Sequence, residues 1–327
     1  MVKVMVAGGM VWLLLQQGAL DLRLLWTGSL DLPMLAVGLL LNLTMISLGA
    51  VRWQLLLGSQ GIRLPFAWVH RMIYLTVCFN LLVPGSIGGD ALRMGYVTRR
   101  SAADRKGAAL LTILADRLTG LYALFVIAWL AALANLPALL DNLPARILVL
   151  SLTMAVVGGP LLTVLLFWGI ERLPGVRRSE IDPMSPDAEP PSRTWLDTAL
   201  KQATQAVRLF RQTRGRLAAA VLVSALAQTV EIGALLWIAN GLGLLPVAVD
   251  HFFVAAPVAW MANLLPISPG GLGVGEAAFA QVCQWLQPTA ALTALGTPFL
   301  INRLLQMLAS LPGLWVYLAY RHTDPEV

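Results

Sequence analysis

The sequence predicts an all-α polytopic membrane protein, with about six full transmembrane helices and two Pro/Gly-broken re-entrant hairpins in an inverted-topology repeat. Three observations carry that prediction. Of 327 residues, 58% are hydrophobic and 12% charged, whereas an average soluble domain is roughly 25% charged; mean hydropathy is +0.74. Apolar runs long enough for the roughly 20 helical residues that cross a bilayer core recur along the chain. Two further apolar stretches are interrupted at their centres by a similar Pro and Gly pattern. So little charged surface excludes a globular cytosolic enzyme.

The six spans cover 4–20, 32–57, 108–134, 147–170, 217–241 and 292–320. The first resembles a signal peptide, with Lys3 ahead of an apolar run, but 16–21 is a poor small-residue cleavage site. It is expected to stay as an uncleaved span. The broken segments are 67–97 and 250–286. Pro84, Ser86, Gly88 and Gly89 interrupt one, and Pro266, Pro269, Gly270 and Gly271 interrupt the other. Helix-breaking backbone at membrane depth is tolerated only where protein or water covers it, so re-entrant hairpins fit better than further spans.

Net charge is +6. With hairpins, one side collects Lys3, Arg52, Arg63, Arg71, Arg93, Arg99, Arg100, Arg105, Lys106, the cations of 171–216 and Arg321. The other side holds Arg23 and Arg146 beside Asp21, Asp31, Asp141 and Asp250. The bias assigns the basic side, and both termini, to the cytoplasm. It also accounts for the basic balance without nucleic acid. The expected organisation is a single integral membrane domain over 1–327, with halves 1–134 and 145–320. Between them lies a cytoplasmic linker, 171–216. Its residues 179–192 are Pro-rich and acidic, and 194–212 carries an amphipathic helix for the inner leaflet surface or for a docking partner.

The broken segments echo each other. Asn80, Pro84, Gly88, Gly89 and Asp90 match Asn263, Pro266, Gly270, Gly271 and Glu276. From Asp90, Asp116 and Arg117 follow at offsets of 26 and 27; from Glu276, Asn302 and Arg303 follow at the same offsets. The preceding spans run in opposite directions, so the two hairpins enter from opposite sides. That is the inverted repeat many secondary transporters build around a midplane site.

Arg117 and Arg303 sit about 13 to 17 Å into their spans, where an unpaired guanidinium costs about 2.5–3.5 kcal/mol even on the gentlest scale. Each is expected to face the protein interior with a partner. They read either as structural ion pairs with Asp90, Asp116, Glu231 or Glu276, or as a lipid-phosphate site shared with Arg93, since guanidinium binds phosphate oxygens bidentately. Ser86, Gly88, Gly89, Gly270 and Gly271 add tight backbone and helix N-termini that attract anions. Asp90 and Glu276 read as caps of half-helices or as carboxylates that exchange with the phosphate. Glu231, mid-span, reads as an arginine partner or a proton-carrying group. Asn80, Pro84, Asn263, Pro266 and Pro269 shape the hairpin turns.

Enzyme signals are weak. His70, His251 and His322 are isolated, Cys78 and Cys283 lie in apolar segments, and no nucleophile motif occurs. The Gly-x-Gly pairs at 241–243 and 271–275 follow no βαβ pattern. No metal, cofactor or catalytic residue is expected.

The motif Phe79-Asn80-x-x-x-Pro84-Gly85-x-x-Gly88-Gly89-Asp90-x-x-Arg93, then Asp116-Arg117, then Pro266-x-x-Pro269-Gly270-Gly271-Leu272-Gly273-x-x-Glu276 resembles the flippase-like family. That family is also called the lysylphosphatidylglycerol synthetase transmembrane region. The resemblance runs from about 32 to 320. It implies a bacterial inner-membrane protein that moves lipids between leaflets. The implied cargo is an anionic or aminoacylated phospholipid, a polyprenyl-phosphate-linked sugar or a hopanoid-pathway lipid. The chain ends seven residues past Tyr320, so a stand-alone member without the aminoacyl-transferase domain is expected. Lipid translocation is therefore the expected function. The alternative is a non-catalytic accessory or scaffold protein of a lipid or glycolipid biosynthesis pathway, with a biosynthetic enzyme as partner. Asp116 stands where the family often shows Glu.

Overall fold

Among the residues that the computed structural model describes, every regular element is a helix. Those residues are 11–12, 14–16, 20–25, 31–82, 88–102, 105–161, 212–244, 248–264, 268, 271–287 and 294–323. The first predicted span, 4–20, lies mostly outside them, as does the linker and amphipathic stretch from 171 to 211. So do Pro84, Ser86, Pro266, Pro269 and Gly270.

In chain order the helices are α1 (Leu32–Ser59), α2 (Phe66–Leu82), α3 (Gly88–Arg100), α4 (Lys106–Ala134), α5 (Leu136–Leu140) and α6 (Leu143–Thr153). There follow α7 (Arg214–Gly241), α8 (Val249–Ala262), α9 (Val274–Leu286), α10 (Gly296–Ser310) and α11 (Pro312–Thr323). Local chemistry sets the starts. Asp31 accepts from the Met34 amide at 3.1 Å ahead of α1, and Asn142 accepts from the Ala145 amide at 2.8 Å ahead of α6. Each cap is followed by a proline in the first turn, where its missing N–H leaves no bond unmade.

Five stretches are long and apolar enough to cross a membrane: Leu32–Ser59, Lys106–Ala134, Leu143–Leu161, Arg214–Gly241 and Gly296–Tyr320. The chain is a multi-pass membrane protein. The last stretch, expected as one span, is interrupted at Leu311 ahead of Pro312. Proline cannot donate to the helical ladder, and its ring crowds the preceding turn. The broken segments each yield two short helices, α2 and α3 of 17 and 13 residues, α8 and α9 of 14 and 13. At 1.5 Å per residue each is about 20 to 25 Å long, short of the roughly 30 Å hydrocarbon core.

Both halves follow one order: a long helix, a short helix, a break, a second short helix, and a stretch long enough to cross a membrane, which is one helix in the first half and α10 with α11 in the second. Their packing is reciprocal. α1 lies along α7, α4 packs on α8 and α7, and α10 and α11 pack on α2 while α10 also meets α1. α1 and α7 run antiparallel. Gly58 lies by Arg216, Arg52 by Ser224, Gly38 by Ile238 and Gly241 by Met34. The first half contributes most of an apolar cluster around Trp53, Met72, Leu75 and Ile113. A second cluster, around Leu235, Phe252, Phe279 and Phe299, joins α7, α8, α9 and α10 to α4 and α6.

Candidate functional site

The short helix that follows each break presents a carboxylate in its first turn, and the next membrane-crossing stretch presents an arginine to it. In the first half Asp90, on α3, receives Arg117 of α4, with Nη2 at 2.5 Å and Nε at 2.7 Å from Oδ2. In the second half Glu276, on α9, receives the Arg303 Nε of α10 at 3.3 Å. The repeated 27-residue offset therefore closes into an ion pair in both halves.

The two asparagines tie the same corners. Asn80, near the end of α2, accepts from the Gly89 amide at 2.9 Å, holding the start of α3 against α2. Gly89 is obligatory there, because a Cβ would meet the Thr76 carbonyl oxygen at 2.0 Å. Asn263 follows α8 and accepts from Arg303 Nη2 at 3.3 Å. The same nitrogen donates to the Gly271 carbonyl at 3.3 Å. Gly273 begins α9 with φ +83°, a left-handed conformation that favours glycine. Its amide donates to Glu276 Oε2 at 2.8 Å, so Glu276 caps its own helix while holding the arginine.

Asp116 anchors a second network. Its Oδ1 accepts from Arg52 Nε at 2.6 Å and its Oδ2 from Arg93 Nη1 at 2.9 Å. Arg93 stacks on Trp53 at 3.6 Å from the ring centroid, and Trp53 donates to Thr112 Oγ1 at 3.1 Å. Arg52 also reaches Ser224 on α7 at 3.3 Å, which links the two halves. Arg52 and Trp53 were missed from the sequence. Arg52 was counted among cytoplasmic cations because it lies close to the end of its run. The available signal was its place within the apolar run, one turn short of the end.

One expectation needs correction, and one of the two alternatives open for Glu231 fails. Arg117 does not face the interior: its side chain is 46% exposed, against 6% for Arg303. One edge of its guanidinium pairs with buried Asp90 and the rest lies open, at about 16 Å into α4. Glu231 does not pair with Arg117 or Arg303. Its Oε1 accepts from Gln306 Nε2 at 3.3 Å, because Arg303, one turn earlier on α10, is turned to Glu276. Among the described residues no group of three His, Cys, Asp or Glu side chains could hold a metal ion.

A buried asparagine pair, Asn42 donating to Asn302 at 3.0 Å, stands beside this corner between α1 and α10. The assembly is thus a set of charge pairs within the membrane-spanning region, one arginine of which is accessible from outside the protein. A guanidinium so placed can exchange a carboxylate for a phosphate without ever being left unpaired.

Compared with known proteins, the chain matches a family model described as the lysylphosphatidylglycerol synthase TM region over residues 1–310. No curated protein and no solved structure matches it.

Proposed function

This chain belongs to the lysylphosphatidylglycerol synthase TM-region family, and on that premise we propose that it is a translocase carrying a phosphate-bearing lipid between the leaflets of the membrane. The observation that carries the reading is Arg117. A half-exposed guanidinium about 16 Å into a spanning helix, braced by a buried carboxylate, is suited to exchange that carboxylate for a lipid phosphate. The phosphate would take Asp90's place on Arg117 through two parallel hydrogen bonds, while the acyl or prenyl tails stay in the bilayer.

The proposal extends to inverted-topology repeats with two re-entrant hairpins. Support comes from the antiparallel course of α1 and α7, the reciprocal packing, and the arginine pair formed at the same offset in each half. In such an arrangement Arg117 and Arg303 would serve opposite leaflets in turn, with Asp90 and Glu276 as resting counter-charges. The proposed setting is the bacterial inner membrane with both termini cytoplasmic, and the proposed activity is transport rather than aminoacyl transfer. Anionic phospholipid, polyprenyl-phosphate-linked sugar and hopanoid-pathway lipid share the chemistry Arg117 would bind.

The test is reconstitution of the full chain into vesicles carrying a fluorescent phosphatidylglycerol, followed by bleaching of the outer leaflet with dithionite. Translocation makes the inner-leaflet probe reducible within minutes, and Arg117→Ala slows that phase tenfold or more. Protection equal to that of protein-free vesicles refutes it. A scaffold reading is favoured by the closed Arg52–Asp116–Arg93 network; it expects Arg117→Ala to lower stability with no translocation by either protein.

A further inference from the structure

Three of the four carboxylates in this polar region hold a guanidinium, and the fourth does not. Asp90 pairs with Arg117, Asp116 with Arg52 and Arg93, and Glu276 with Arg303. Glu231 is 8% exposed near the middle of α7, and its partner among the described residues is the neutral amide of Gln306. An ionised carboxylate in such a place carries an uncompensated charge, which burial penalises heavily.

Beside that amide, the same face of α7 carries a buried acceptor and, within a turn of Glu231, no cation. Gln228 lies one turn earlier on the same face of α7, and its Oε1 is buried with no donor among the described residues. A protonated carboxyl needs no counter-charge, still accepts from Gln306, and carries an O–H on the face where Gln228 offers an acceptor. The charged groups on the helices packed against α7 do not change this balance. α1 brings Arg52, engaged by Asp116; α4 brings Asp116 and Arg117, engaged by Arg52, Arg93 and Asp90. α10 brings Arg303, engaged by Glu276, and α8 carries Asp250 and His251 in its first turn. Lys106 stands at the first turn of α4, and Tyr122 is a turn and a half beyond Arg117.

We propose that Glu231 is a proton-binding site, its carboxyl carrying a proton in the state described here and releasing it to water in an opposed state, so that movement of an anionic headgroup is accompanied by a proton. The proton comes from water on one side and returns to water on the other, with no other bond made or broken. The link to Arg303 is geometric. Gln306 sits one turn beyond Arg303 on α10, so a shift of α10 that releases Glu276 also moves Glu231's partner. The second part rests on the translocase reading; the first does not.

Two experiments separate them. Infrared spectra of the purified full chain at neutral pH are expected to show a carboxylic-acid C=O band that shifts in D2O. Exposed carboxyls, with ordinary values near 4, contribute none at that pH. The band is lost in Glu231→Gln, kept in Arg117→Ala, and displaced in Glu231→Asp. Its absence from wild type, or its persistence in Glu231→Gln, overturns the site without any need for a transport assay. In the fluorescent-lipid vesicles, an imposed pH gradient is expected to change the wild-type rate severalfold and leave the Glu231→Gln rate unmoved. Equal response in both overturns the coupling. No translocation at all refutes the translocase reading and the coupling with it, while the infrared band still decides the proton site.

Discussion

Replacing Asp116 by Asn should destabilise the protein more than any other single change in the polar network. The carboxylate bridges Arg52 at 2.6 Å and Arg93 at 2.9 Å. Asparagine keeps one acceptor but turns an NH2 group toward a guanidinium that can only donate. Arg52, at 16% exposure, can recover contacts at the surface; Arg93, at 1%, cannot. Arg93 Nε and Nη2 already have no acceptors among the described residues, so losing Asp116 leaves the Trp53 face as its main compensation. Cation–π contact is worth about 2 kcal/mol when desolvated, whereas removing one partner of a buried pair costs about 3–5 kcal/mol. The expected loss is therefore about 3–5 kcal/mol, read by steric trapping of the unfolded chain in bicelles. The double variant Arg93→Met/Asp116→Leu should recover most of it, since apolar replacement of a buried ion pair is often neutral. A loss below about 1 kcal/mol for Asp116→Asn would show that the network is not buried as described and would refute the reasoning.

Three further outcomes are expected. Asp90→Asn should cost no more than about 1 kcal/mol, because Arg117 is half exposed, and should raise retention of phosphate-bearing lipid in native mass spectra; lower retention would count against phosphate exchange at Arg117. Gly89→Ala should abolish folding of the α2–α3 corner, seen as aggregation on gel filtration, whereas Gly95→Ala on the same helix meets nothing within 4 Å and should gain about 0.5–1 kcal/mol. Trp53→Phe should lose the hydrogen bond to Thr112 while keeping an aromatic face under Arg93, a cost of about 1 kcal/mol by the same unfolding assay.

Much of the site was visible in sequence terms. Asp90 with Arg117, and Glu276 with Arg303, stand out because a charge in an apolar run is rare and a repeated offset between two such charges is rarer. Asn80 and Asn263 were marked as turn residues from the same repeat, and both hold the corners through side-chain oxygens. Arg52 escaped because a cation near the end of a run looks like an interfacial anchor. Its role depends on α1 lying beside α4 and α7, which no stretch of α1 encodes alone. Of the two readings open for Glu231 in the sequence, the arginine partner fails for a related reason. Charge counting offers it two arginines, but the rotation of α10 turns Arg303 to Glu276 and leaves Gln306 facing α7.

From the sequence by itself came the membrane habit of the chain, the helix breaks after α2 and after α8, and the two carboxylate-to-arginine intervals, though not the break ahead of Pro312. Each follows from chemistry carried within one segment: hydropathy, missing amide protons at proline, and the helical rise. Only the tertiary structure decided which carboxylate each arginine meets, and that Arg117 opens outward while Arg93 is sealed. Those outcomes depend on how far one helix slides and turns against another. Close contacts of Gly38 with Leu305 and of Gly241 with Met34 set that register, and they form between residues far apart in the chain.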